Sequence, residues 1–332
     1  MFARVAASDV PIGRSEETTV RPTVSVVICS NRPGSLLASV QSVLSNVGPS
    51  FELVVVAQGG TDGWAERDLS SVLDDPRLRI VHDAGRGLSR ARNIGIRETT
   101  GDFVLFTDDD CVVHQNWIAE HLALYRERPH TMMLFGTVAP PVGYCSDQGM
   151  VPTFDPDREA GSARLRGRIA LGMGANMSVR RSLIERVGLF DEVLGAGAPL
   201  SGCEDFDMAL RASAVGALVV ADARSVVTHE GGVRSPGAEV RQLWKRDGFG
   251  LGALIAKEVR TGYWRGALTL VAFLHDMAWS TVKRMVLGRR PFGLNMVWCL
   301  SWGALTGLLH GLCQPMQRVA GSATFVQRGK RP

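Results

Sequence analysis

The sequence predicts an α/β fold: a mostly parallel central sheet covered by helices on both faces, continued by a C-terminal helical region. Three observations predict it. Short β-branched apolar runs alternate with helix-period segments from residue 24 to residue 107. Polar clusters at 30–34, 58–62 and 108–110 stand where those runs end. Beyond Pro236 the pattern turns helical, apolar and basic. Strand and helix alternating at this spacing is the signature of βαβ units, and in open sheets of this kind ligands bind beyond the carboxyl ends of the strands.

Residues 1–22 are polar and aperiodic and read as a flexible arm. Val24 to Cys29 (VSVVIC) is a buried strand by length and composition. After the turn Ser30-Asn31-Arg32-Pro33-Gly34, residues Leu36, Leu37, Val40, Val43 and Leu44 share one face of a helix. Phe51 to Ala57 is the second strand and Leu78 to His82 the third. Leu88 to Glu98 is a helix and Phe103 to Thr107 the fourth strand. After about residue 130 the alternation weakens. Thr131 to Val138 is strand-like. Residues 139–168, rich in Pro, Gly and charge, are too long for an ordinary connection and read as an active-site or acceptor loop. Met173 to Val179 reads as strand, Arg180 to Val187 as helix, Gly188 to Gly202 as a glycine-rich loop, Glu204 to Val215 as helix and Val226 to His229 as a short strand.

With 45% apolar and 21% charged residues over 332 positions, the chain as a whole is not disordered. The net charge of +4 hides a split. Residues 1–233 carry 22 basic and 29 acidic side chains, a balance of −7; residues 234–332 carry 15 and 4, a balance of +11. A basic tail region on an acidic body points to an anionic partner, membrane lipid or nucleic acid. The tail interleaves its arginines with long apolar stretches, which suits a membrane and argues against nucleic acid. Six cysteines stand singly with no CxxC, excluding zinc-finger and small disulfide frameworks. The first residues hold no apolar run of secretory type, so a cytoplasmic protein with reduced thiols is expected.

The sharpest chemical feature is Asp108-Asp109-Asp110, directly after the apolar run FVLF. Like charges this close persist most easily where a cation neutralises them. Alternate residues of extended chain point the same way, so Asp108 and Asp110 are placed to share an oxygen-seeking cation such as Mg²⁺ or Mn²⁺. Taken alone, the same string reads equally well as a solvated acidic turn. Glu204 and Asp205 taken alone are helix-capping acids, and a single histidine such as His229 is more often structural.

Read together with Gly87-Leu-Ser-Arg-Ala-Arg92-Asn93-Ile-Gly95, Gly101-Asp102, Gly174-Ala-Asn176, Phe190-Asp191-Glu192 and Gly202-Cys-Glu204-Asp205-Phe-Asp207, the string GLSRARNIGIRETTGDFVLFTDDD changes that balance. Over roughly residues 23–232 the chain resembles the family 2 glycosyltransferases, inverting sugar transferases built on one nucleotide-sugar-binding domain of the GT-A type. The resemblance implies a catalytic domain over 23–233 followed by the helical region 234–332. It makes Asp108 and Asp110 the DxD motif, with Asp110, Asp108 and His229 around a Mn²⁺ or Mg²⁺ ion. It makes Asp205, beside Glu204, the general base for an acceptor hydroxyl. The donor, a nucleotide-diphosphate sugar, falls to Ser30, Arg32, Gln58, Arg92, Asp108 and Asp109. Arg90 and Arg92, two apart on a helix, face different ways; Arg92 is favoured for phosphate, with Arg90 solvated.

Two departures stand out. The second strand ends in Ala57-Gln58, where the family has an acid that reads the base. The turn Cys29-Ser30-Asn31-Arg32 is one residue short. The processive QxxRW string is absent, so one addition per encounter is expected, to a cell-envelope glycan or a lipid-linked acceptor. The competing function class is a catalytically inactive GT-A-fold binding or scaffold protein at the membrane.

Residues 291–313 carry no charge over 23 positions, and five of seven tryptophans lie beyond residue 233. A spanning hairpin would set the Lys283, Arg284, Arg289 and Arg290 loop in the cytoplasm and the catalytic domain outside, away from nucleotide sugars. The expectation is therefore peripheral seating on the cytoplasmic face of the membrane, with helices lying in the interface. A helical hairpin packed on the transferase domain and an oligomer interface are the competing uses of so apolar a stretch.

Overall fold

The computed structural model describes residues 23–60, 62–145, 149–157, 170–231, 233–234, 237–286, 294–319 and 322–326. The expected arm 1–22, much of the 139–168 loop, and the basic residues Arg289 and Arg290 lie outside the described residues.

The strands are β1 (Val24–Ser30), β2 (Phe51–Gln58), β3 (Leu78–Asp83), β4 (Phe103–Asp108), β5 (Cys111–Val113), β6 (Thr131–Ala139), β7 (Met177–Arg180), β8 (Leu218–His229), β9 (Met316–Val319) and β10 (Ser322–Phe325). The helices are α1 (Leu36–Leu44), α2 (Trp64–Asp68), α3 (Leu88–Arg97), α4 (Trp117–Glu127), α5 (Arg181–Val187), α6 (Glu204–Ala214), α7 (Ala238–Thr261), α8 (Trp264–Val286) and α9 (Leu294–Cys313). One sheet runs in the order β3-β2-β1-β4-β7-β6-β8-β5, and β9 and β10 form a separate antiparallel pair. Parallel pairing holds from β3 through β4 and between β6 and β8; β7 and β5 run antiparallel to their neighbours.

Strand residues alternate between faces. Val26, Ile28, Leu53, Val55 and Leu105 pack against α1, α2 and α4 on one side. Val27, Val104 and Phe106 pack on the other, with α5 and α6. The same second core holds Leu251, Leu254 and Ile255 of α7, Leu270 of α8 and Phe325 of β10. Helices α7 and α8 and strand β10 thus share the core of the sheet, with no separate one of their own among the described residues.

Two sequence expectations need correction. Residues 174–176 form a 3₁₀ turn, with β7 starting only at Met177. Asn176 pins that turn, accepting from Trp117 Nε1 at 2.9 Å and donating to the Thr137 and Ser225 carbonyls at 2.8 and 3.0 Å. The last sheet strand is 12 residues long and begins at Leu218, not Val226. Its first half, Leu218-Val219-Val220-Ala221, is an apolar β-branched run in parallel register with β6. Helix α4 and the short β5 fill the stretch between β4 and β6, where no element was expected.

Candidate active site

Register brings the carboxyl ends of β1 to β4 to one edge: Ser30 sits opposite Ala57, Gln58 opposite Asp83, and Cys29 opposite Asp108. Here the three aspartates part. Asp109 is committed to the β1–α1 turn, accepting from the Ser30 hydroxyl and the Arg32 guanidinium, with Ser35 Oγ at 3.4 Å. Asp110 faces Arg32 Nη2 at 2.9 Å and His229 Nε2 at 3.4 Å. Asp108 faces Arg92 Nη2 at 3.4 Å.

His229 reaches Asp110 because β5 pairs antiparallel with β8, setting Cys111 opposite His229. The Glu230 and Gly231 N–H groups then donate to the Asp110 carbonyl at 2.9 and 3.2 Å. A Cβ on Gly231 would stand 2.4 Å from the Asp110 Cβ, so only glycine lets the chain cross there. One donor atom each from Asp110, Cys111 and His229 lies within 4.8 Å of the others. Burial lifts the Cys111 thiol far above its ordinary value, leaving carboxylate oxygen and imidazole nitrogen as the usable donors. That set fits Mn²⁺ or Mg²⁺, and His229 Nδ1 is buried with no hydrogen-bond partner among the described residues. Burial by itself would raise Asp110, but His229 and Arg32 outweigh it and hold the carboxyl well below the usual carboxylate range. Asp108 goes the other way, raised by burial against the opposing charge of Arg92.

Across the cleft, Gly202 and Cys203 adopt φ of 124° and 63°, and this strained turn delivers Glu204 and Asp205 as the first residues of α6. Arg92, on α3, is buried; its Nη1 donates to Glu204 Oε1 at 2.8 Å while Nη2 faces Asp108. Its guanidinium lies 5.7 and 5.6 Å from the ring centroids of Phe106 and Phe190. One arginine therefore joins the acidic turn after β4 to the acidic start of α6. Asp205 accepts the Gly174 N–H at Oδ2 and the Phe206 N–H at Oδ1, both at 2.8 Å. Burial first, then the adjacent Glu204, push Asp205 up to about 7, against the pull of Arg92. Asp207 turns inward to Arg211 and Lys257.

On the sheet side, Gln58 Nε2 donates to Asp83 Oδ2 at 2.9 Å. Asp83 also accepts from Arg90 Nη2 at 2.8 Å, which holds it down to about 2. Arg90 and Arg92 each end on carboxylates, Arg90 on Asp83 and Arg92 on Asp108 and Glu204. A cleft of about 300 Å³ opens beside Asn31, Gln58, Asp62, Trp64 and Arg86. Sequence reasoning missed Asp83 and Arg86. Their signal was the polar cluster His82-Asp83-Ala84-Gly85-Arg86 at the end of the third strand.

Residues 25–188 match the sequence model of the family described as "Glycosyl transferase family 2". A glucosyl-dolichyl phosphate glucuronosyltransferase of Haloferax volcanii is 29% identical over 184 residues, 52% of this chain and 57% of that protein. Glycosyltransferase AglE of the same organism is 33% identical over 106 residues, 30% of this chain and 34% of its own. The matched segments thus span little more than half and about a third of these relatives. Among solved structures, mannosyltransferase PcManGT from Pyrobaculum calidifontis superposes with a TM-score of 0.60 at 18% identity, covering 89% of this chain and 88% of that one, a likeness of fold. The matched segment includes the acidic turn after β4 and the arginine that ties it to α6, and the chain belongs to glycosyl transferase family 2.

Proposed function

We propose that this chain is an inverting, metal-dependent glycosyltransferase that moves a sugar from a nucleotide-diphosphate donor to a hydroxyl on a cell-envelope glycan or lipid-linked acceptor. The observation that carries the reading is Arg92, buried between Asp108 and Glu204. It brings a cation-binding turn and a candidate base to one cleft.

Asp205 is the base. Two backbone N–H groups aim its carboxylate, and its proton affinity near neutrality suits removal of a proton from an acceptor hydroxyl. Glu204, held on Arg92, supplies the neighbouring charge that keeps the affinity high. One base and one in-line displacement need no covalent intermediate, hence inversion. Asp110 and His229, with Asp108 beside them, would hold Mn²⁺ or Mg²⁺, which when bound neutralises the diphosphate leaving group as a Lewis acid. Gln58 and Arg86, lining the cleft, offer the hydrogen-bonding edges a nucleotide base needs. Ser30, Arg32 and Asp109 build the turn beside them.

Two similar proteins support the substrate class. The Pyrobaculum mannosyltransferase was solved in complex with GDP-Man and Mn²⁺, and the first Haloferax relative is named for a dolichyl-phosphate-linked sugar. Residues 23–233 form the catalytic unit in this reading, with 234–332 packed against it on the cytoplasmic face of a membrane.

The test is nucleoside diphosphate release from UDP- and GDP-sugars with Mn²⁺, Mg²⁺ or chelator, with acceptor lipids added. Metal-dependent release and a product of inverted anomeric configuration are expected. Donor binding without turnover under every metal and acceptor would instead support the inactive binding protein, the reading that Ala57 in place of an acid keeps open.

A further inference from the structure

Helix α9 is, among the described residues, the one helix long and apolar enough to cross a membrane, with a mean hydropathy of 1.3 over Asn295–Cys313. Its packing argues for another use. Met296, Leu300, Gly303, Ala304, Gly307 and Gly311 are buried, and the small ones meet α7 backbone to backbone. A Cβ on Gly252 would stand 1.9 Å from the Ala304 carbonyl oxygen, and one on Gly307 1.9 Å from that of Phe249. The contacts run from Gly248 beside Leu300 to Ala253 beside Gly311, so the two helices lie parallel. Helix α7 cannot enter hydrocarbon: it carries Lys245, Arg246, Asp247, Lys257 and Glu258, and Lys257 is ion-paired to Asp191 and Asp207. Without parting from α7, α9 cannot stand across a bilayer.

The opposite face of α9 remains apolar. Trp298, Trp302, Leu305, Leu309 and Leu312 follow one another at steps of four and three, one helical stripe, and are 45–68% exposed. On α8, Trp264, Leu268, Val271 and Trp279 form a second stripe, 48–67% exposed. Arg265, His275, Asp276 and Lys283 belong to the same helix, His275 lying 3.3 Å from Asp276. We propose that these two stripes are a docking surface for a bilayer bearing anionic headgroups, on which α8 and α9 lie in the plane of the interface.

Two features select lipid as the occupant. Tryptophan favours the headgroup boundary, and four of these nine exposed residues are tryptophan. The balance of +11 over residues 234–332 attracts anionic headgroups, whereas a second copy of the chain would bring the same positive charge against itself.

The surface also orients the cleft. Gly250 lies half a turn round α7 from Gly248 and Gly252 and packs on the Ser201 and Gly202 backbone, the turn that leads into Glu204 and Asp205. Helix α7 thus packs between α9 and the turn before the candidate base, so docking of α9 would fix how that turn stands relative to the bilayer. This orientation rests on the transferase reading; the docking does not.

The experiment is vesicle flotation of the full-length protein with phosphatidylcholine alone and with phosphatidylcholine containing one quarter phosphatidylglycerol. The wild type is expected to bind the mixed vesicles about tenfold or more tightly than the neutral ones. Trp298→Glu with Trp302→Glu is expected to weaken that binding by at least about tenfold, with the circular dichroism spectrum unchanged. Absence of flotation with either vesicle overturns the proposal. So does a concentration-dependent dimer that the double variant disperses, or a protein that survives alkaline carbonate extraction as an integral one. Each result is read without turnover and stands apart from the fate of the enzymatic reading.

Discussion

Lys257 Nζ lies 2.6 Å from Asp207 Oδ1, with both side chains shut off from solvent. The same ammonium reaches Asp191 Oδ2 at 2.7 Å, and Asp191 in turn accepts the Phe325 N–H at 2.7 Å. A cation from α7, the acids Asp191 and Asp207 and a backbone amide from β10 thus meet in one buried cluster. Asp207 is two residues from Asp205 on α6, so the helical region helps hold the helix that carries the candidate base.

Lys257→Met should therefore act on both stability and rate. Removing one member of a buried ion cluster costs about 3–5 kcal/mol. A large drop in the urea midpoint at unchanged m-value is expected, with transfer activity reduced in the fraction that stays folded. A midpoint within error of wild type would mean that water or a neighbour replaces the ammonium.

Asp205→Asn should lose the transfer step by about 10²–10⁴-fold while the donor dissociation constant, read by calorimetry, stays put. In the wild type the active form is the deprotonated carboxylate, raised to about 7. The rate constant kcat/KM should therefore climb with pH below about 7 and level off above it. A profile flat from pH 5 to 8 would remove Asp205 from the role.

Arg92→Met takes away the positive charge that opposes the rise of Asp205. The rising limb of the pH profile should then move to higher pH. Lys at this position keeps the charge but not the fork that reaches Asp108 and Glu204 together, so it should restore the limb only in part. An unmoved limb in both variants would show that Arg92 only packs.

Asp110→Asn and His229→Ala should each weaken Mn²⁺ binding, measured by calorimetry or by electron paramagnetic resonance of free Mn²⁺, and lower metal-dependent turnover. Cys111→Ser should leave Mn²⁺ binding near wild type, because a hard cation prefers the carboxylate oxygen and imidazole nitrogen beside it to a buried thiol. Strong loss in the serine variant would make the sulfur a ligand.

Gly252→Ala places a methyl where the Ala304 carbonyl oxygen now sits 1.9 Å away. Overpacking of this kind costs about 1–3 kcal/mol, and the pair α7–α9 should part. A lower melting temperature and faster amide exchange along α9 are expected.

Local chemistry was enough to make the elements from β1 to β4 legible. Runs such as VSVVIC and FELVVVA are strands because β-branched residues alternate between two buried faces, and their polar ends mark the ligand edge wherever the chain turns. The acidic strings at 108–110 and 204–205 announced themselves in the same way, since like charges are costly to keep together without a purpose. What no string could announce was who meets whom. Asp109 is spent on Ser30 and Arg32, Arg92 reaches from α3 to both acids, and Gln58 finds Asp83, across 16 to 112 positions of chain. The same holds for α9. Its composition suits a bilayer core equally well, until Gly303, Gly307 and Gly311 commit one face to α7 and leave the tryptophans on the other. Composition sets what a helix can dissolve in; only packing decides which of its faces is still free to do so.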